Sequence, residues 1–405
     1  MPSLKIAMVA ACPFPWPRGT PARILRLSEA LCERGHEVHV VTYHLGDRNV
    51  PLPFSVHRTP HLPTYRKTAP GPSLQKLALL DPLLAARLRR VIRRHRIDVI
   101  HAHHYEGLIV ATWAQVGAAT RPVVYDAHTL LESELPFYGP PLAGKLKAIL
   151  GRTIDRWLPG RADHVVAVTE QIRARLVRPA GIQPGRVTVA QNGVDLERFA
   201  KLDGAGGHGD NGPKPVFTLG YAGNLAPYQG IDRLMLAARK VFDARQDVRL
   251  LVATGSPTVK WKAEAHRLGI GESVQFANPD LDALPGVLAT FDVALNPRTH
   301  CDGIPYKLLN YMAAGKPIVS FQGSARGIPS GAALTVPDGD TDAFAAAILR
   351  LLDDPALARS LGERALRAAK EEFSWERTAE KVERVYMRLL GLASNEAESI
   401  GAGVR

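Results

Sequence analysis

The feature that most constrains the fold is a regular alternation of short apolar runs and longer amphipathic segments. The apolar runs are rich in Val and Ile and lack polar–apolar alternation, which is typical of strands covered on both faces. The alternation therefore predicts parallel sheets with crossover helices, the α/β architecture of doubly wound domains. The predicted strands are residues 5–9, 38–43, 99–101, 123–126, 164–168, 187–189, 217–221, 249–252, 274–276, 293–296 and 317–320.

The alternation stops and restarts in the middle of the chain. Residues 203–215 contain five Gly and two Pro, a composition typical of a mobile surface loop near a domain boundary. We therefore predict two Rossmann-like domains of similar size, over residues 1–197 and 198–372. The small, polar segment 391–405 is predicted to be a flexible tail.

Composition excludes several classes of protein. Apolar residues make up 46% of the chain, which is enough for buried cores. The three cysteines, at positions 12, 32 and 301, match neither a disulfide framework nor a zinc pattern, so we expect a reducing compartment. No apolar run reaches the roughly 18 residues of a membrane span, and the apolar start is too short for a signal peptide. We expect a cytoplasmic protein.

The net charge of +12 is concentrated in the first half, where residues 1–197 contain 26 Lys and Arg against 15 Asp and Glu. Within a predicted helical segment over residues 77–96, Asp81 and Pro82 are expected at the N-cap and first helical position of its later part. An apolar stripe recurs at helical spacing, and three arginines share another face. The stripe is Leu77, Leu80, Leu84, Leu88 and Val91, and the arginines are Arg87, Arg90 and Arg94.

Two interpretations of this helix remain open. It is either a core-facing helix with a solvated basic side, or a surface helix held on anionic lipid. Nucleic acid is suggested by charge alone, since no basic platform interleaved with aromatic residues is present, and we do not predict it as a partner.

Polar residues just after the strands are the candidate binding groups, because ligands of doubly wound sheets lie beyond the carboxyl ends of strands. With two such domains, the expected site is the cleft between them. Arg18 and Gly19 follow the first strand. They are either binding residues, with Gly19 letting the backbone approach a ligand and Arg18 adding positive charge, or part of a rigid Pro-rich surface loop. No G-x-G-x-x-G or Walker pattern follows, which disfavours a simple dinucleotide or P-loop site.

Histidines stand at the ends of two predicted strands of the first half, 99–101 and 123–126. His101, His103 and His104 form an H-A-H-H run, and we expect strand-end histidines without a metal because no second ligand cluster accompanies them. His128 follows a buried strand, near Asp126. It is either a functional group or a hydrogen-bonded loop histidine.

In the second half, a compact turn containing Gly223 and Asn224 precedes a helix that starts after Gln229. Such a turn suits the approach of a phosphate. Further on, a turn leads into a helix on which Lys307 and Asn310 share a face. A lysine supplies positive charge for a phosphate, and an amide supplies two hydrogen-bonding ends for a diol.

The order and spacing of these segments resemble the retaining glycosyltransferases of family 4, through residues 4–390. The segments that carry the resemblance are the first strand with its glycine loop, residues 34–38, 98–103, 189–195, 221–224 and 305–317, and the closing F-S-W-E run at 373–376. The resemblance implies the GT-B fold of two facing Rossmann-like domains, the first on the acceptor side and the second binding a nucleotide sugar. It also implies that the helix over 373–390 returns to the first domain.

The resemblance assigns roles residue by residue. Gly19 would face the donor phosphates, and His128 would approach the transferred sugar. Asp302 and the backbone of Gly303 and Ile304 would contact the sugar hydroxyls, while Asn310 would hold the ribose.

The chain departs from the family pattern at three positions. Asn310 replaces the second glutamate of the family's E-x7-E element, and Asn224 and Gln229 stand where the family has an arginine and a lysine that grip the diphosphate. We expect Lys307, Arg18 and a helix N-terminus to supply the missing positive charge.

The function that the resemblance implies is retaining transfer of a sugar from a nucleotide-diphosphate donor to an acceptor hydroxyl, in the assembly of cell-surface polysaccharide or glycolipid. No metal and no cofactor are expected besides the donor substrate. The acceptor would be a saccharide or a lipid-linked molecule, and a lipid-linked acceptor would place the protein peripherally on the inner face of the membrane. The alternatives are a non-catalytic nucleotide-sugar binder and a nucleotide-sugar epimerase or hydrolase.

Overall fold

The structure, a computed structural model, describes residues 2–16, 19–66, 75–137, 144–178, 180–200, 216–280, 282–301 and 303–392. It divides into two compact units, one of Met1–Gln191 with Trp375–Arg405 and one of Asn192–Ser374. The sequence predicts these divisions at residues 197 and 372, and the structure has them at 191 and 374. The Gly-rich segment 203–215 and residues 393–405 of the predicted tail lie outside the described residues.

The first unit contains a sheet of seven parallel strands. They are β1 (Lys5–Ala10), β2 (Glu37–Thr42), β3 (Ser55–Arg58), β4 (Val99–His103), β5 (Val123–Ala127), β6 (His164–Ala167) and β7 (Val187–Val189). Their order in the sheet is β3-β2-β1-β4-β5-β6-β7. The main helices between them are α1 (Gly19–Glu33), α2 (Asp81–His95), α3 (His104–Gln115), α4 (Leu131–Glu134), α5 (Gly144–Trp157) and α6 (Glu170–Val177).

The second unit repeats this plan with six parallel strands in the order β10-β9-β8-β11-β12-β13. The strands are β8 (Phe217–Ala222), β9 (Val248–Ala253), β10 (Val274–Ala277), β11 (Val293–Asn296), β12 (Ile318–Phe321) and β13 (Leu334–Val336). The helices are α7 (Leu196–Ala200), α8 (Ile231–Ala244), α9 (Val259–Arg267), α10 (Leu284–Ala289), α11 (Tyr306–Ala313), α12 (Gln322–Ala325), α13 (Thr341–Asp353) and α14 (Pro355–Glu372). The predicted doubly wound α/β class is confirmed for both units.

The last helix, α15 (Trp375–Leu389), belongs to the first unit. It packs on α1, where Glu383 accepts hydrogen bonds from Arg34 and, at 3.2 Å, from His36 Nε2. Tyr386 lies fully buried with its hydroxyl 2.6 Å from Nδ1 of His101 on β4. Helix α15 therefore packs against the sheet of the first unit.

Sequence patterning missed two edge strands, β3 and β13. Both are short, and neither has a run of buried apolar side chains: β3 is Ser-Val-His-Arg and β13 is Leu-Thr-Val. An edge strand is covered less completely than a central one, so its sequence carries a weaker hydrophobic signal.

The start of α2 differs from the prediction. A π-helical turn over Lys76–Leu80 leads into α2 without a break, so the prediction of Asp81 as N-cap is wrong. The Asp81 carboxylate is buried and accepts a hydrogen bond from the Tyr43 hydroxyl at 2.5 Å. Because its carboxylate is buried against Tyr43, Asp81 does not cap the helix.

In each sheet the strand order reverses next to the first strand, between β1 and β4 and between β8 and β11. Such a switch point opens a crevice at the carboxyl ends of the strands, where doubly wound domains bind ligands. Of the helices that the structure describes, none combines the length and the apolar character needed to cross a bilayer.

Candidate functional site

In the first unit, polar side chains meet at the carboxyl ends of β4 and β5. These strands are adjacent and parallel, and they align His101 with Val124 and His103 with Asp126. Nε2 of His101 lies 3.1 Å from Oδ2 of Asp126, and Nδ1 of His103 lies 3.2 Å from Nε2 of His128. His128 follows β5 directly and is the most exposed of the four side chains, with 9% of its surface accessible.

Arg23 of α1 organises this cluster, and sequence analysis missed it. Its Nε donates to Oδ2 of Asp126 at 2.9 Å, and both side chains are buried. Its terminal nitrogens donate to the carbonyls of Ala190 at 2.9 Å and Gln191 at 3.1 Å. A signal was present, since Arg23 stands four residues before Leu27 on the apolar face of the predicted helix, where a buried arginine requires partners.

Burial sets the protonation of the cluster. Loss of hydration lowers the pKa of His128 to about 3; the charge of Asp126 opposes this shift and that of Arg23 adds to it. Burial alone would raise the pKa of Asp126, but Arg23 and the surrounding histidines hold it well below its usual value. At neutral pH the cluster therefore contains a carboxylate paired with Arg23 and a neutral His128 imidazole.

The predicted loop after β1 contributes Thr20 to this cluster. Its Oγ1 lies 3.3 Å from Nδ1 of His128, so both ring nitrogens of His128 have polar neighbours. Gly19, at the start of α1, is exposed, and Arg18 lies outside the described residues. His104 adopts a left-handed backbone conformation, with φ 65°, directly after β4. Non-glycine residues in that region are uncommon and concentrate at functional sites.

In the second unit, the predicted binding residues gather at the switch point beside β8. Lys307 on α11 is buried, and its Nζ donates to Oε1 of Gln229 at 2.6 Å and to the Tyr221 hydroxyl at 2.9 Å. Burial lowers the pKa of Lys307 well below its usual value, and the positive charge of Arg298 lowers it further. Both hydrogen-bond acceptors described for this lysine are neutral, so an anionic ligand would stabilise its charged form.

The turn after β8 brings backbone close to Lys307. Gly223 has φ 148°, and a Cβ there would lie 3.3 Å from both Cε of Lys307 and the Tyr221 hydroxyl. Asn224 is exposed; its Oδ1 accepts from the Ala226 amide at 3.1 Å and its Nδ2 donates to the Tyr228 hydroxyl at 3.2 Å. Asn224 therefore shapes the turn, and it adds no charge.

Arg298 is a second cation at this switch point that sequence analysis missed. It follows β11, and its guanidinium carbon lies 4.9 Å from the centre of the Tyr228 ring. Its position two residues after the predicted strand 293–296 is the same signal that identified His128. Arg298 also acts electrostatically on Lys307, so two cationic side chains lie near this switch point.

The remaining predicted residues lie on or before α11. Gly303 is half-buried, Ile304 is buried, and Asp302 lies outside the described residues. Asn310 is half-buried on α11, on the face it shares with Lys307. The helix is fixed to β8 because the Ala222 amide donates to the Tyr311 hydroxyl at 2.7 Å.

The predicted acceptor-side helix faces the core with its apolar stripe. Leu80, Leu84, Leu88 and Val91 of the stripe are buried, and Leu77 is 49% exposed. Arg90 and Arg94 are exposed and Arg87 is half-buried. The solvent-facing side of α2 therefore carries mainly charged side chains.

Two family models match the chain in succession. The model described as Glycosyltransferase Family 4 matches residues 17–198, and the model described as Glycosyl transferases group 1 matches residues 216–354. The similar curated proteins include D-inositol 3-phosphate glycosyltransferase 2 of Catenulispora acidiphila, 28% identical over 90% of this chain and 88% of its own. The D-inositol 3-phosphate glycosyltransferase of Kineococcus radiotolerans is 27% identical over 90% and 89%.

Solved structures with the same fold cover nearly the whole chain. Sucrose-phosphate synthase from Thermosynechococcus elongatus superposes with a TM-score of 0.77 at 20% identity, over 96% of this chain and all of its own. HepE of Anabaena, in complex with UDP and glucose, gives a TM-score of 0.69 at 19% identity, over 95% and 100%. These likenesses confirm the predicted GT-B fold.

Proposed function

The chain is a glycosyltransferase of the family 4 and group 1 type, and from this premise we propose that it transfers a sugar from a nucleotide-diphosphate donor to an acceptor hydroxyl with retention of anomeric configuration. The observation that carries the proposal is the position of Lys307, a buried lysine at a switch point, hydrogen-bonded to neutral oxygens beside Gly223. A diphosphate would supply the anion that this lysine lacks among its described partners.

The donor site in this proposal combines charge with backbone. Lys307 and Arg298 stabilise the diphosphate, and the Gly223 turn lets it approach the main chain. Gln229 holds the lysine in place, while Asn224 shapes the turn. Asn310 binds the ribose, and Asp302 with the backbone of Gly303 and Ile304 binds the sugar hydroxyls.

Catalysis in this proposal depends on stabilising the leaving diphosphate, since glycosyl transfer passes through a transition state with oxocarbenium character. The neutral His128 imidazole approaches the transferred sugar, with Thr20 and His103 orienting its ring. Gly19, at the start of α1, and Arg18 serve the donor phosphates in this proposal. The proposed mechanism uses no cofactor and no metal in the transfer step.

We propose a polyhydroxylated acceptor, free or linked to lipid, in cell-surface polysaccharide or glycolipid assembly. The similar proteins from Catenulispora and Kineococcus are named for D-inositol 3-phosphate, which makes phosphorylated cyclitols the first acceptors to assay. For a lipid-linked acceptor, we propose that the enzyme works peripherally on the inner face of a membrane.

Helix α5 is a better membrane contact than α2. Its sequence is GKLKAILGRTIDRW, and four large apolar side chains on it are exposed. They are Leu146 at 70%, Ile149 at 59%, Leu150 at 51% and Trp157 at 60%. Ile149, Leu150 and Trp157 stand three, four and eleven residues after Leu146, which places all four on one stripe along the helix. Exposed apolar stripes of this kind mark interaction surfaces.

The stripe on α5 points away from the core. Gly151, on the opposite face, packs so closely that a Cβ there would lie 2.5 Å from the Leu131 carbonyl oxygen. Lys145, Arg152 and Arg156 are exposed along one flank of the stripe. An apolar stripe with a basic flank complements a bilayer that contains anionic lipid, and we propose that surface as its occupant.

Product analysis separates this function from its alternatives. The protein is incubated with UDP-, GDP- and ADP-sugars and with acceptors that include inositol 3-phosphate and lipid extracts, and products are resolved by mass spectrometry and NMR. A glycoside with the donor's anomeric configuration supports the proposal. Free sugar or an epimerised nucleotide sugar indicates the hydrolase or epimerase, and donor binding without turnover across the panel indicates a non-catalytic binder.

A further inference from the structure

Three histidines from three separate elements meet in the first unit, apart from the residues assigned above. His39 lies on β2, His57 on β3, and His95 is the last residue of α2. One ring nitrogen of each lies within 4.8 Å of the other two. The sequence alone does not predict this cluster. The three histidines lie far apart in the chain, and β3 has no clear strand signal.

The elements that carry the histidines are fixed relative to one another. Strands β2 and β3 pair in parallel, with His39 beside Ser55 and Val41 beside His57, so the two histidines project on the same face of the sheet. Helix α2 packs on both strands, and His95 lies with its ring centre 4.2 Å from that of His39 and 5.1 Å from that of His57.

A carboxylate orients the central imidazole. Nε2 of His39 lies 2.8 Å from Oε1 of Glu37, which leaves Nδ1 of His39 directed at Nε2 of His57, 3.0 Å away. A carboxylate that accepts the second N–H of a histidine is the usual partner of a metal-ligating imidazole, because it fixes the tautomer and the ring orientation. His39 is buried, while His57 and His95 are partly exposed, so an ion has a route from solvent.

We propose that His39, His57 and His95 form a Zn²⁺-binding site, with Glu37 orienting His39 and a water molecule as the fourth ligand. Tetrahedral Zn²⁺ with bonds of about 2.0–2.1 Å places ligand nitrogens about 3.3 Å apart, so the pair of His39 and His57 is nearly in position. Three imidazoles favour Zn²⁺ over Mg²⁺ or Ca²⁺, which prefer oxygen ligands. The bound ion ties edge strand β3 and the end of α2 to β2, so its effect is on stability.

The other cluster with metal-binding geometry, formed by His101, His103 and Asp126, has a different character. There the guanidinium of Arg23 lies 2.9 Å from Asp126 and already supplies the compensating cation. Around the His39 cluster, Lys5 lies 3.5 Å from Glu37, and the positive charges of Arg87 and Arg94 act on His57. These charges weaken the affinity for Zn²⁺.

The test is calorimetric titration of ZnCl₂ into the untagged full-length protein after removal of metal with a chelator. We expect one ion per chain in the wild type, and a loss of affinity of at least tenfold in both His57→Gln and His95→Gln. His61→Gln, which changes an exposed histidine outside the cluster, is the matched control and should titrate like the wild type. Circular dichroism establishes that each variant is folded.

Thermal unfolding supplies an independent readout. Zn²⁺ should raise the melting temperature of the wild type and of His61→Gln, and should leave that of His95→Gln unchanged. Failure of the wild type to bind Zn²⁺ would overturn the proposal. Equal one-ion binding by the wild type, His57→Gln and His95→Gln would also overturn it, since the ion would then lie elsewhere, with the His101 cluster as the first candidate.

Discussion

Nζ of Lys307 lies 2.6 Å from Oε1 of Gln229, and both side chains are buried at the carboxyl end of β8. The resemblance to the family places a lysine at position 229. A lysine there would bring a second ammonium group next to that of Lys307. A glutamine there accepts a hydrogen bond from Lys307 and positions it. In the proposed donor site, Arg298 is the second cation.

Replacing His128 with alanine should lower kcat by roughly two orders of magnitude, the size of effect seen when a positioned polar group is removed from an active site. His128 contacts Thr20 and His103 through its ring nitrogens and carries no structural ion pair of its own at neutral pH, so the fold should persist. Steady-state kinetics and circular dichroism measure both effects. His61→Ala, on an exposed histidine, should keep wild-type kcat; a near-normal rate in His128→Ala would remove His128 from the site.

Arg23→Met should lower the free energy of unfolding by about 3–5 kcal/mol, because it leaves the buried Asp126 carboxylate without its guanidinium. Urea unfolding measures the loss. Adding Asp126→Asn to the same chain should recover part of it, since the uncompensated charge is then gone. Arg267→Met, which removes an exposed ion pair with Glu264, should leave the urea midpoint nearly unchanged. A similar small change for Arg23→Met would show that the buried pair contributes no stability.

Replacing exposed apolar residues of α5 should weaken binding to vesicles that contain anionic lipid. Ile149→Glu and Trp157→Glu each remove apolar area and add repulsion, so cosedimentation should fall several-fold. Val259→Glu, on an even more exposed apolar residue of the second unit, is the control and should bind normally.

Variants of α2 separate the two membrane interpretations. If Arg90→Glu with Arg94→Glu abolishes vesicle binding while the α5 variants bind normally, the basic face of α2 is the contact and the assignment to α5 is wrong. Binding that does not depend on anionic lipid would contradict both.

Stability should fall between pH 6.5 and pH 4. Burial lowers the pKa of His57 to about 4, of His128 to about 3 and of His164 to about 4. In this window the unfolded chain binds protons that the folded protein excludes, so unfolding becomes easier as the pH falls. The urea midpoint should be clearly lower at pH 5 than at pH 7.5, and His164→Gln should reduce the difference. A midpoint that stays constant or rises at pH 5 would contradict these shifts.

Sequence patterning identified the central strands because they are buried on both faces and have continuous Val and Ile runs. It failed at β3 and β13, where partly covered edge strands carry no such run. It also assigned Asp81 as an N-cap, whereas that side chain is buried against Tyr43, a residue distant in sequence. Local patterns contain little information about such tertiary contacts.

In the candidate site too, residues marked by local patterns could be predicted, while tertiary contacts could not. His128, Lys307 and Gly223 were found because they follow strands or share a helix face, which are local properties. Arg23 carried a signal, a buried position on its helix, but its partner Asp126 comes within hydrogen-bonding distance only in the folded structure. The partners of Lys307 could not be predicted either, because Gln229 and Lys307 are 78 residues apart in the chain.

The most direct test of the central claim is donor binding by Lys307→Met, a change that keeps most of the side-chain volume and removes the ammonium. A thermal-shift titration across UDP-, GDP- and ADP-sugars is run on the wild type, on Lys307→Met and on Lys262→Met, an exposed lysine of α9. We predict that one nucleotide-diphosphate sugar raises the melting temperature of the wild type and of Lys262→Met, and has no effect on Lys307→Met. Equal shifts in all three proteins, or none in the wild type, would contradict the proposed donor site.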